Sequence, residues 1–115
     1  GHSDTAAGAK LSMIIAPMFR ARLPIVTDRV TCISTPGEDI DVLVTQGGIA
    51  VNPRNTELRQ RLADAGLPVI DIRELKEKAE RLTGAPKRLP KGGRVVAEVI
   101  SRSGGILDQI YAKPE

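Results

Sequence analysis

Residues 39–53 read DIDVLVTQGGIAVNP, and the fold turns on how this stretch is read. Ile40, Val42 and Val44 alternate with Asp41, Leu43 and Thr45. Apolar residues on both parities predict a strand covered on at least one face, and the expectation is cover on both. The strand runs into Gln46-Gly47-Gly48. A glycine pair permits dihedrals that other residues resist and lets a ligand approach the main chain. In open α/β sheets, ligands bind beyond the carboxyl ends of the strands. Gln46, Gly47 and Gly48 are therefore the first candidate site, set against the plainer reading of a tight turn.

On the N-terminal side, Ile25 to Ser34 (IVTDRVTCIS) is rich in β-branched residues and predicts another strand, with a kink at Asp28-Arg29. Leu11 to Ala16 (LSMIIA) predicts a shorter strand, stopped by Pro17. Arg20 and Arg22 stand in the loop between Pro17 and Pro24, as a solvated turn or as phosphate ligands. Thr5 to Lys10 fits a short helix capped by Ser3 or Asp4, or a frayed or vector-derived terminus. A helix start there would favour an anion.

On the C-terminal side, Asn52-Pro53 reads as a cap plus first helical position. Leu58, Leu62 and Ala65 would share one face of that helix, and Gly66 would end it. Leu67 to Ile70 is short and extended. Asp71-Ile72-Arg73-Glu74 has capping-box spacing. The helix it opens would bury Ile72, Leu75, Ala79 and Leu82 and close at Gly84. Glu74–Lys78 and Glu77–Arg81 are expected i,i+4 ion pairs on its exposed face. Arg94 to Ile100 and Ile106 to Tyr111 predict a hairpin about the turn 101–105, followed by a disordered tail from Ala112 to Glu115.

Composition narrows the classes. The 115 residues suffice for one domain with one core, so 1–115 is expected to be a single unit. Aromatics are 2%, Phe19 and Tyr111 alone, so the core must be aliphatic. Two aromatics are too few for a base-stacking platform, which argues against nucleic acid as a partner. Cys32 is the only cysteine and His2 the only histidine. That excludes an intrachain disulfide and a zinc site of the usual kind, and Cys32 reads as an inert core thiol. No apolar run approaches the length of a membrane span and no signal peptide is evident, so a cytoplasmic protein is expected.

Net charge is +3, unevenly spread. Residues 1–53 hold 4 Lys+Arg against 5 Asp+Glu (−1), while 54–115 hold 13 against 9 (+4). Arg81, Lys87, Arg88, Lys91 and Arg94 follow one another with no acid between them. This segment, 81–94, reads either as a solvated linker or as the docking face of a non-catalytic binding or assembly module.

Several stretches together resemble the acyl-CoA transferases of the acetyl-CoA hydrolase/transferase type, and within them the citrate lyase alpha chains. Gly1-His2-Ser3-Asp4 looks like the second half of a G-G-x-x-D loop. Arg20 and Arg22 stand where that family has a basic residue after a strand. Residues 42–50, VLVTQGGIA, are similar to its V-V-T-E-x-G-I-A segment, with Gln46 in place of the usual glutamate. His2 replaces a more common Gln or Ser. Residues 67–84 and 95–111 resemble the citrate lyase alpha branch specifically.

The resemblance implies an α/β fold, a mixed open sheet with flanking helices, forming the second half of a CoA-transferase (NagB/RpiA-like) domain. It implies exchange of the acetyl group on an acyl carrier thioester for citrate, with release of acetate. It implies a lyase beta chain and an acyl carrier gamma chain as partners. No cofactor is expected on this chain; CoA, or the CoA-derived group of the carrier, enters as substrate. Gly1, His2, Ser3, Asp4, Arg20, Arg22, Gln46, Gly47 and Gly48 are the implied thioester-binding positions. The nucleophilic glutamate of such enzymes lies upstream of the glycine loop. It is therefore expected before Gly1, and the chain is expected to be the C-terminal portion of a longer subunit. Glu38, the one carboxylate beside the central strand that could stand in for it, sits in a Pro-Gly-Glu-Asp turn.

Overall fold

The computed structural model describes residues 2–87, 90 and 92–113. Its centre is a mixed three-stranded sheet in the order β1 (Met13–Ile15), β4 (Val42–Thr45), β5 (Gly48–Val51). β1 runs parallel to β4 with Ile14 opposite Leu43, and β5 runs antiparallel with Thr45 opposite Gly48. β4 is thus paired on both edges, as its continuous apolar pattern requires, and Val42 is 2% exposed. Asp41 sets the register at the lower edge. Its carboxylate accepts from the Ser12 N–H at 2.8 Å, and the Ser12 carbonyl accepts in turn from the Asp41 and Val42 amides. Residues 67–70 lie against the far edge of β5 through a single parallel bridge, Ile49 to Val69.

The chain enters through α1 (His2–Gly8), which begins earlier than the sequence suggests. Ser3 and Asp4 lie within its first turn instead of capping it, and a carboxylate there still suits the helix dipole. Two very short strands follow β1, β2 (Phe19–Arg20) and β3 (Leu23–Pro24), paired as a small hairpin.

The predicted strand at 25–34 does not form. β-branched residues favour strands only where a partner edge is available. Here the segment pairs with no strand of the sheet; Val26 packs against the core cluster instead, and the loop is tied down by side chains. Lys76 meets Asp28 at 2.8 Å, and the Ile33 N–H donates to the Asp108 carboxylate at 2.8 Å. Cys32 is accordingly half-buried in a loop and is not part of a core strand.

α2 (Thr56–Asp64) starts three residues later than Asn52-Pro53 suggests, with Asn55 as its cap accepting from the Leu58 N–H at 3.2 Å. Asn52 instead closes a turn, accepting from Arg54 N–H while its amide donates to the Ile40 and Gly37 carbonyls. α3 (Ile72–Thr83) is capped by Asp71, whose carboxylate accepts from the Arg73 N–H at 2.8 Å, and ends at Gly84 with φ 79°. Only its Leu75–Ala79 stripe is buried, and both residues are 0% exposed. They pack with Met18 and Ala50, flanked by Val26, Leu43 and Ile70. Ile72 and Leu82, expected in the core, are exposed because α3 touches the sheet along a narrow line.

β6 (Val95–Ile100) and β7 (Ile106–Tyr111) form the predicted hairpin as a separate two-stranded sheet. The expected α/β class and mixed sheet are therefore present, although the strands among the described residues form three small sheets and not one. Among the described residues, no helix is long and apolar enough to cross a membrane.

Candidate functional site

The parallel pairing of β1 with β4 gives the sheet two ends, and the sequence-predicted positions divide between them. α1 precedes β1 and packs near the short 3-10 turn Gly37–Asp39 that precedes β4, so it lies at the amino end. There His2 Nδ1 is 3.0 Å from Thr35 Oγ1, Ser3 is half-buried and Asp4 is exposed. Gly1 lies outside the described residues, as do Arg88, Leu89 and Lys91 of the basic segment. Glu38 occupies the same end. Its carboxylate is 3.1 Å from Arg54 and largely exposed, as the turn reading anticipates.

The carboxyl end holds Gln46, Gly47 and Gly48. Thr45 closes the turn twice, its hydroxyl accepting from the Gly47 N–H at 3.2 Å and donating to the Gly48 carbonyl at 3.0 Å. Gln46 Oε1 accepts from the Met18 N–H at 3.0 Å. Because that contact requires the oxygen, the amide NH₂ of Gln46 is the group left to face outward. A Cβ on either glycine would meet close neighbours. A Cβ on Gly47 would lie 2.6 Å from Met18 Sδ. One on Gly48 would lie 2.9 Å from Ile70 Cδ1 and Cγ1, on a backbone at φ 144°.

This turn opens onto a surface groove of about 550 Å³. Met18, Phe19 and Leu82 give it apolar walls, Gln46 and Gly47 form its rim, and Lys78 and Arg81 supply positive charge. Arg20, next in the chain to Phe19, and Arg22 are both exposed on the β2–β3 hairpin and do not line the groove.

The sequence predicts surface ion pairs for Lys78 and Arg81, and the structure places them otherwise. Lys78 Nζ donates to the Gly47 carbonyl at 3.1 Å, and Arg81 Nε donates to its own helix at the Glu77 carbonyl. The i,i+4 pair that α3 does make is Lys76–Glu80 at 3.7 Å, with Asp28 on the other side of the same ammonium. The hydrogen bond that Lys76 donates to the Asp28 carboxylate raises the Lys76 pKa above its ordinary 10.5, against a smaller opposing effect of burial. The available signal for the groove was positional. Lys78 and Arg81 flank the Leu75–Ala79–Leu82 stripe, so their side chains reach past the packed line toward the β4–β5 turn.

A family model described as "Citrate lyase, alpha subunit" matches residues 1–113. The chain is 50% identical over 110 residues to the citrate lyase alpha chain of Klebsiella pneumoniae, which covers 96% of this chain. It is 45% identical over 115 residues, its whole length, to that of Escherichia coli (strain K12). A crystal structure described as the alpha subunit of citrate lyase in complex with citrate, from Streptococcus mutans, superimposes with a TM-score of 0.92 at 40% identity. That match covers all of this chain and 22% of the other. The chain likewise spans 22% of the length of each of the two curated relatives.

Proposed function

The chain belongs to the citrate lyase alpha-subunit family, and from that premise we propose that it forms a single portion of a citrate CoA-transferase subunit, built as the second half of a NagB/RpiA-like domain. The complete subunit exchanges the acetyl group of an acyl carrier thioester for citrate and releases acetate, working with a lyase beta chain and an acyl carrier gamma chain. A glutamate carboxylate attacks the acetyl thioester and displaces the carrier thiolate, leaving a mixed anhydride. The thiolate attacks the glutamyl carbonyl, so acetate departs and a glutamyl thioester remains. A citrate carboxylate then displaces the thiolate, which attacks the citryl carbonyl of the new anhydride and frees the glutamate. Each carbonyl passes through an oxyanion, which backbone N–H donors stabilise.

The attacking glutamate is assigned to residues outside these 115. Glu38, at the amino end of the sheet and paired with Arg54, supports that assignment. The observation that carries the reading is the Gln46-Gly47 turn, which ends the central strand and opens onto a groove that is apolar on its walls and cationic on one side. Gln46 and Gly47 form the near wall of the thioester site, with Gly48 packed behind them against Ile70 and with Arg20 and Arg22 at its approach.

The test is Gln46→Glu in the complete subunit. A carboxylate can still accept from the Met18 N–H, so the melting temperature should hold. A negative charge beside the entering tricarboxylate should raise KM for citrate about tenfold, a loss of about 1.4 kcal/mol. An unchanged KM for citrate with intact folding would remove this turn from the substrate site.

A further inference from the structure

We propose that Arg81 is an anion-binding residue of the groove at the carboxyl end of β4, and that Lys78 is the residue that positions the turn beneath it. This rests on the reading of the groove as part of the thioester site, and adds two residues to it.

Three observations meet at one place. Among the described residues, neither cation has a carboxylate within 4.0 Å, although each has a glutamate four residues earlier on the same helix. Lys78 spends one of its donors on the Gly47 carbonyl, holding α3 to the β4–β5 turn at 3.1 Å. Arg81 uses Nε on its own helix, which leaves the outer edge of the guanidinium, with two NH₂ groups, for a second partner. That edge is the part of arginine that binds carboxylate or phosphate bidentately.

The walls say what else the ligand carries. Leu82 is 68% exposed and Phe19 is 45% exposed, and both face the groove with Met18 at its floor. A ligand with an apolar stem and an anionic end satisfies both halves of this surface. The shared chemistry is a carboxylate or phosphate on a flexible arm. It can come from citrate or from the phosphates of CoA.

The experiment measures equilibrium binding of citrate and, separately, of CoA to the complete subunit by calorimetry. Arg81→Ala should weaken one of the two at least tenfold. A loss for citrate alone identifies the carboxylate as the partner, and a loss for CoA alone identifies the phosphate. Arg81→Lys should recover part of the loss, because the charge returns without the fork. Arg73→Ala, on the same helix and outside the groove, controls for net charge and should change neither affinity. If Arg81→Ala leaves both affinities unchanged, or Arg73→Ala lowers them equally, the inference is overturned. Lys78→Met should weaken the same ligand without lowering the melting temperature by more than Arg73→Ala does. An unchanged affinity would remove the positioning role. These outcomes separate from the proposed reaction. Wild-type subunit that exchanges acetyl thioester with citrate while Arg81→Ala binds normally refutes only the groove assignment. Subunit that shows no exchange while Arg81→Ala loses binding refutes only the reaction.

Discussion

At the residue scale, the two glycines that drew the first functional reading prove to be unequal. Gly48 combines a backbone at φ 144° with a site already filled by Ile70 and, at 3.2 Å, by the Pro68 carbonyl oxygen. Backbone oxygen cannot give way, and L-residues rarely adopt that φ. Gly48→Ala should therefore destabilise the fold by about 1–3 kcal/mol, visible as a lower midpoint in thermal or denaturant unfolding. Gly47→Ala meets chiefly the end of the Met18 side chain, which has three rotatable bonds and can move. It should cost less, so the order of the two midpoints checks the packing account. From sequence, a glycine required for packing and a glycine required by a ligand look alike. The neighbours that separate them, Met18 and Ile70, are 29 and 22 positions away along the chain and carry no local signal.

At the element scale, legibility followed how local the cause was. β4, β5 and α3 could be read because a strand pattern, a glycine turn and an aspartate cap are all short-range features. The segment 25–34 misled because propensity does not say whether a partner edge is free. What holds it is Asp28 on Lys76, a contact between distant positions. This contact has a pH signature. The folded pKa of Lys76 is raised above 10.5, so protonation favours the folded state. Its contribution is complete below that ordinary value and is lost as pH rises through the folded one. Comparing wild type with Lys76→Met across alkaline pH should show their melting temperatures differing near neutrality and converging as pH rises through the raised folded pKa of Lys76. A constant difference would mean that Lys76 acts through packing alone.

At the scale of the whole molecule, the positions proposed for the site are divided by the sheet. His2, Ser3 and Asp4 stand at the amino end beside Thr35, while Gln46 and Gly47 stand at the carboxyl end with Lys78 and Arg81. The family resemblance pointed to both groups but could not say that β1 separates them. Nor could helix periodicity tell that two cations on α3 would turn to the groove while Lys76 took the ion pairs. On this proposal the carboxyl-end groove, walled by the Gln46-Gly47 turn and α3, receives the substrate. The most direct measurement is a crystal structure of the complete subunit soaked with CoA or citrate. An anionic group of the ligand is expected within about 3 Å of the Arg81 guanidinium, with the Gln46-Gly47 turn in contact. A ligand seated at the amino end beside His2 and Glu38, with the groove filled by other protein, would contradict it.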